Sequence, residues 1–411
     1  MGLYYAGIGA SIVGAASSTF GILSPLQSGL FIAGGVLASA LHLTIENEKK
    51  RRERDIDFWK RFDLVKEDMP PLLQEKIKRP FGYSLRYTPV IGLSSETFKT
   101  KELELAEYFD VKKVDISYNN KNIFIDVYEK ELEKEYPYEV TKTKGKLELI
   151  IGKTWGEKIV TVDLTKSYPH MLVGGSTGMG KTNFLRLALA NLVLEGKKNV
   201  EIEIADLKGT EFYMFKDIPM CKNFISDTEQ FYSFIHNLYL EMNRRYRTFQ
   251  KAGVIDITRY NRNHNMPYKL ILVDEFQELE PRDFKNEIKT IKKIAAKGRS
   301  AGIHMIISTQ RPSADVLEGT IKNNFLNRIA FKLPDKLNSN IILDEEGAEK
   351  LRKHGNGIYK DGMDKLEFQA MYKDEDDLVK MLEPYFEKKE EIKEINNTGI
   401  SRFNPMSGTH A

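Results

Sequence analysis

Residues 175–182 read Gly-Ser-Thr-Gly-Met-Gly-Lys-Thr, a glycine, four residues, then Gly-Lys-Thr. Glycines let the backbone turn its N–H groups toward an anion, and a helix beginning at the lysine adds its positive end. In that geometry Gly175, Ser176, Thr177, Gly178, Met179, Gly180, Lys181 and Thr182 cradle the phosphates of a nucleotide. Lys181 reaches the β- and γ-phosphates, and the Thr182 hydroxyl ligates Mg²⁺. The spacing alone is common by chance. Here His170-Met171-Leu172-Val173-Gly174 precedes it as a short buried strand and residues 181–195 (KTNFLRLALANLVLE) follow as a buried helix, which is the context the chemistry requires. ATP and Mg²⁺ are the expected cofactors.

A second run supplies what nucleotide binding alone does not need. Lys269–Glu275 (KLILVDE) is an apolar strand ending in two adjacent carboxylates. Asp274 stands where it can hold Mg²⁺, and Glu275 where it can take a proton from the attacking water, so hydrolysis is expected. The strand Ile303–Thr309 runs into Gln310, whose amide at the strand tip can sense the γ-phosphate. Val200–Ala205 ends in Asp206-Leu207-Lys208, another polar tip. Strands alternating with helices, with polar residues at their C-terminal ends, predict a doubly wound parallel α/β sheet with its site at the switch point.

The elements around this centre follow from composition. The chain has 411 residues and a net charge of +3, too balanced for a histone-like basic protein. One cysteine, Cys221, excludes an intramolecular disulfide, and seven scattered histidines give no zinc-ligand pair. Although 29% of the chain is charged, residues 1–45 carry no Asp, Glu, Lys or Arg. That gap predicts a transmembrane hairpin of two spans, 3–23 and 28–45, roughly 31 and 27 Å long as helices. Lys49, Lys50, Arg51, Arg52 and Arg54 follow at once and place the rest of the chain in the cytoplasm, making this a multi-pass protein of the cell membrane.

Downstream, 46–78 is charge-rich and reads as a helical stalk. Residues 79–145 read as a small α+β module, with a Ser-capped helix over 95–109 and two strands, Val114–Tyr118 and Ile123–Tyr128, joined by a turn. The domain that carries the phosphate loop occupies 146–386. Residues 387–411 read as a charged helix and a disordered tail.

From residue 146 to 373 the chain resembles the FtsK/SpoIIIE DNA translocases, a branch of the RecA-like P-loop ATPases. The resemblance is carried by IIGKTWGEKIVTVDL, PHMLVGGSTGMGKT, the Asp206-x-Lys208 pair, EMNRRYR (241–247), LILVDEFQEL, AAKGRSAGIHMIISTQRPSADVLEGTIKNNFLNRIAF and GAEKLRKHGNGIYK. It implies a homohexameric ring that pumps DNA through its pore by contacts to phosphates, without reading sequence. It further implies that a neighbour's arginine completes each site, with Arg299 and Arg328 the two that fall in matching motifs. The lysines of helix 283–297 (Lys285, Lys289, Lys292, Lys293) are either a solvated face or a DNA contact. The chain departs from FtsK proper in its two short spans, near-absent linker and lack of a winged helix after 386. In that it resembles the coupling proteins of Gram-positive conjugative elements, for which a relaxase and channel proteins are expected partners. The alternatives are a related motor for DNA segregation, phage DNA handling or protein secretion.

Overall fold

The computed structural model of the chain describes residues 50, 53–67, 69–119, 121–166, 168–279, 285–312, 317, 319–362 and 364–386. The expected hairpin (1–45) and tail (387–411) lie outside the described residues. Among the described residues no helix is long and apolar enough to cross a membrane. The chain divides into two compact units, one up to Glu133 that also takes in Thr154–Lys158, the other comprising Lys134–Lys153 and the chain from Ile159.

In the smaller unit four strands, β1 (Leu73–Arg79), β2 (Gly82–Tyr87), β3 (Lys113–Asn119) and β4 (Asn122–Tyr128), form an antiparallel sheet in the order β1-β2-β4-β3. The β3–β4 hairpin closes with Asn119 opposite Asn122, and Lys121 takes the left-handed conformation the tight turn demands (φ 60°). The helix expected over 95–109 is two helices, α1 (Ser95–Lys99) and α2 (Glu102–Tyr108). Ser94 caps the first, accepting from the Thr97 N–H at 3.2 Å. At the break the Thr100 hydroxyl donates to the Thr97 carbonyl (2.7 Å), competing with the helical hydrogen bond that would continue the turn.

The segment read as a charged stalk proves to be part of this unit's core. Helical residues 53–60 and the turn after them bury Trp59, Phe62 and Leu64 with Leu85, Phe98, Leu105 and Ile125. Trp59 meets Tyr87 edge-on at 5.0 Å and Phe98 at 5.8 Å. Its charges belong to the solvent side of a helix whose other side is aromatic. Trp59→Ala should therefore destabilise the full chain by about 3–5 kcal/mol, the cost of emptying a large aromatic site. Urea titration measures it, and an unshifted midpoint would return this segment to the surface.

The larger unit is built on a ten-stranded sheet. Six neighbours run parallel, in the order β10 (Cys221–Ile225), β9 (Val200–Asp206), β11 (Tyr268–Asp274), β12 (Ile303–Thr309), β8 (Met171–Gly174) and β13 (Asn327–Phe331). The expectation of a doubly wound parallel sheet holds for this part. Beyond β13 the sheet continues through β14 (Asn356–Asp361) and β15 (Asp364–Gln369), both antiparallel, to β6 (Glu148–Thr154) and β7 (Ile159–Asp163). The fold is thus mixed α/β with a parallel-rich centre.

Every residue of β8 and β12 is buried, which explains why the sequence shows continuous apolar runs rather than alternation. One face, with Leu172, Ile271, Val273, Met305 and Ile307, packs on α4 (Thr228–Lys251) and α5 (Lys285–Ala301). Helix α3 (Lys181–Leu194) is buried from Phe184 to Val193 except at Arg186. Its Asn191 accepts from the Tyr138 hydroxyl (3.1 Å) and the Thr141 N–H (3.0 Å), so residues 134–145, expected in the small module, belong to the larger unit. Immediately before β8, the His170 ring joins the Ala295 carbonyl to the Met305 N–H, each at 3.0 Å. Burial, followed by the neighbouring His304, holds its pKa down to about 3. It is a neutral strut between β8, β12 and α5.

Candidate active site

Parallel order brings the C-terminal ends of β8, β9, β11 and β12 to one sheet edge, where the sequence-predicted groups converge. The loop after β8 needs its glycines for identifiable reasons. Gly178 and Gly180 have φ of 75° and 110°, and a Cβ on Gly180 would stand 2.8 Å from the Gly355 backbone. Gly180 then opens α3, so Lys181 is its first residue.

Lys181 is turned inward and 3% exposed. Its ammonium donates to Asp274 Oδ1 (2.7 Å), Ser308 Oγ (3.2 Å) and Glu275 Oε1 (3.4 Å). Both carboxylates are fully buried at the tip of β11. Ser308 also donates to Asp274 Oδ1, whereas the buried Asp274 Oδ2 has no hydrogen-bond partner. An orphaned carboxylate oxygen on the residue paired with Lys181 fits a cation held jointly with the hydroxyl of Thr182, the next residue along α3, which lines the cleft at the phosphate loop. Asp274 and Thr182 are therefore the residues that would hold Mg²⁺.

Glu275 sits in a left-handed backbone conformation (φ 55°, ψ 49°), a strain of about 1–3 kcal/mol for a residue with a Cβ. Its carboxylate is surrounded. Lys208 approaches Oε1 at 3.2 Å, Gln310 donates to the same oxygen, and Gln277 donates to Oε2. Burial pushes its pKa up, but Lys181, Gln277 and Lys208 outweigh that and hold it below the ordinary glutamate value. Gln310 also accepts from the Thr177 hydroxyl, so one amide bridges the phosphate loop and Glu275.

Several members of this site were not assigned from sequence. Ser308 and Gln277 lie within two residues of assigned positions, inside stretches that resemble the family, but were given no role. Asp206 accepts from the Gly209 and Phe212 N–H groups, both at 3.0 Å, and so shapes the loop that brings Lys208 to Glu275. The HGNG stretch reaches back from the antiparallel wing. The Gly355 N–H donates to the Met179 carbonyl (2.8 Å), and Gln369 holds the preceding His354 carbonyl (2.7 Å).

The two arginines part company. Arg328 is 4% exposed, ion-paired with Asp344, and donates to the Phe325 (3.0 Å), Lys322 (3.0 Å) and Ile342 (3.4 Å) carbonyls. It is committed to its own chain, which removes it as a group offered to a neighbour. Arg299 is exposed near the end of α5 and donates to the Lys166 carbonyl at 3.4 Å. It lies at the N-terminal end of β12, about 20 Å of strand from the phosphate site at the other end. The α5 lysines Lys285, Lys289 and Lys293 are exposed, and Lys293 lies over the Tyr239 ring at 5.5 Å. Arg328→Ala, which strands three carbonyls, should cost about 3–5 kcal/mol of stability, whereas Arg299→Ala should leave the melting temperature nearly unchanged. Equal melting of both variants would contradict this division.

Comparison with known proteins agrees with the geometry. Residues 133–265 match the model of the FtsK/SpoIIIE family. A DNA translocase FtsK of Leptospira interrogans is 34% identical over 256 residues, 59% of this chain and 27% of that protein. One from Streptococcus pneumoniae is 32% identical, over 59% of this chain and 34% of the relative. The chain thus spans about a quarter to a third of these relatives. Among solved structures, the pCW3 conjugation coupling protein TcpA, in monomer form with ATPγS, aligns with TM-score 0.56 and 22% identity, covering 82% of this chain and 99% of that one. The Type VII secretion ATPase EccC of Thermomonospora curvata aligns with TM-score 0.52 and 23% identity, covering 58% and 31%. Residues 133–265 carry the match to the FtsK/SpoIIIE family, and the larger unit has the mixed α/β fold of a P-loop ATPase.

Proposed function

We propose that this protein is an ATP-driven DNA translocase that works as a homohexameric ring. In this reading it is anchored in the cell membrane through residues 1–45, with the motor in the cytoplasm. It serves as the coupling protein that hands DNA, with its relaxase, to the channel proteins of a conjugative element. The observation that carries the motor reading is the buried Lys181–Asp274–Glu275 cluster at the strand tips of a P-loop sheet, with residues 133–265 matching the FtsK/SpoIIIE family. The fold likeness to a coupling protein over 99% of that chain supports the conjugative role over secretion, since the likeness to EccC spans 31% of that chain.

The chemistry follows from the partners on hand. A bound triphosphate competes with Asp274 and Glu275 for the Lys181 ammonium, because it offers more charge than either carboxylate. Mg²⁺, held by Thr182 and Asp274, would neutralise phosphate charge. Released from Lys181, Glu275 retains Lys208, Gln277 and Gln310 as orienting partners. It takes the proton of a water whose oxygen bonds to the γ-phosphorus while the bond to the β-bridging oxygen breaks. Gln310, joined to both Thr177 and Glu275, registers loss of the γ-phosphate at the phosphate loop. DNA is gripped through its phosphates, so duplexes of unrelated sequence stimulate alike.

Lys181→Ala should abolish nucleotide binding. Glu275→Gln should still bind ATP but turn it over at least about 100-fold more slowly, the low end for a positioned base. Filter binding and phosphate release separate the two, and near-normal turnover in Glu275→Gln would assign the base elsewhere.

Arg299 is the group we assign to completing a neighbour's site, an added arginine being worth about 10³–10⁵ in phosphoryl transfer. Arg299→Ala and Lys181→Ala subunits, each inactive alone, should regain partial activity when mixed in one ring. Mixed assembly without any rescue would leave Arg299 a surface residue.

A further inference from the structure

The stretch EMNRRYR (241–247), near the end of α4, takes no part in the chemistry at the phosphate loop, yet it buries a full charge. Arg245 is 1% exposed. Its Nε donates to Glu241 Oε1 one turn back (2.9 Å), and its Nη1 donates to two carbonyls, those of Pro267 (2.8 Å) and Ala301 (2.9 Å). Pro267 stands immediately before β11, and Ala301 is the last residue of α5. The next residue, Tyr246, donates its hydroxyl to the Lys297 carbonyl (2.5 Å), one turn earlier in α5.

These contacts bracket Arg299. They grip the backbone two residues before it and two residues after it, and its own carbonyl accepts from the Gly302 N–H (3.0 Å). A helix end leaves carbonyls without intrahelical partners and carries the negative end of the dipole, so a buried guanidinium there answers both. The turn that follows is crowded. Gly302 has a φ of 71°, and a Cβ on it would stand 2.3 Å from the Ile257 side chain. A Cβ on Gly298 would meet the Ile303 carbonyl at 2.6 Å. The end of α5 is thus held in one backbone position while the Arg299 side chain on it stays exposed. Apolar side chains of similar volume would often serve stability as well as a buried ion pair. A fixed base under an exposed arginine is what a group aimed at a charge on another subunit requires.

We infer that Arg245 and Tyr246 are positioning residues for ATP hydrolysis in the neighbouring subunit, acting through Arg299. The inference rests on the assignment of Arg299 to a neighbour's site. Because this clamp serves the next subunit's nucleotide and not its own, losing it should complement in the same pattern as losing Arg299.

Arg245→Lys keeps the charge but loses the planar fork that reaches Glu241 and two carbonyls at once. Turnover by full-length rings of this variant should fall about 10- to 100-fold, the scale for a slightly misplaced catalytic group, with ATP affinity as in the wild type. Tyr246→Phe keeps the packed ring, should melt close to the wild type and should slow turnover in the same way to a smaller extent. It carries the test if Arg245→Lys does not fold. Mixed into rings with Lys181→Ala subunits, either variant should regain activity, since the Lys181→Ala chain presents an intact clamp to the variant's intact phosphate loop. Adding either change to Arg299→Ala should slow it no further. Wild-type turnover in both variants would overturn the inference, as would a defect that mixing does not repair, which would make the clamp a support of its own chain. If Arg299→Ala and Lys181→Ala subunits themselves show no rescue, the neighbour assignment fails and the clamp falls with it.

Discussion

An ammonium and two carboxylates share one buried point at the ends of adjacent strands, and the rest of the larger unit is arranged around that cost. Removing a charge from water costs several kcal/mol, and two carboxylates against one lysine leave a negative excess. Lys208, 40% exposed, comes within 3.2 Å of Glu275 and offsets it, while Ser308, Gln277 and Gln310 occupy the remaining lone pairs except at Asp274 Oδ2. Hydrophobic side chains of the same volume would be at least as stable here. An apolar sheet that nevertheless carries such a cluster at its edge is organised for chemistry, and the strained backbone of Glu275 points the same way.

The topology makes the cluster possible. Strands β8, β9, β11 and β12 run parallel, so their C-terminal tips meet along one edge and deliver the phosphate loop, Lys208, Asp274–Glu275 and Ser308–Gln310 together. The antiparallel wing supplies the counterpart. Through Gly355 it braces the phosphate loop from the other side, and through Ala370–Tyr372 it walls the cleft. Arg299 sits at the opposite edge because α5 must return to the start of β12.

How much of this the sequence disclosed depended on how local each determinant is. The phosphate loop, the carboxylate pair and Gln310 were legible because strand, loop and chemistry are contiguous. The parallel strands were legible because both faces are buried and their runs are uniformly apolar. The role of 53–64 was not, since Trp59 and Phe62 are interspersed with charges and the residues that complete their core, Leu85, Phe98, Leu105 and Ile125 among them, lie far along the chain. Arg299 and Arg328 could not be told apart either. What separates them is Asp344 and three carbonyls that folding brings to one and not the other. The clasp of Gly355 on Met179 joins residues far apart in the chain, and no local pattern announces it.

The account turns on Lys181 exchanging its carboxylate partners for a triphosphate. A structure of the full chain with Mg²⁺ and a non-hydrolysable ATP analogue tests this most directly. The account predicts that the Lys181 ammonium has left both Asp274 and Glu275 for the β- and γ-phosphates, with Glu275 still held by Gln277. An analogue bound while Lys181 remains paired to both carboxylates would contradict it.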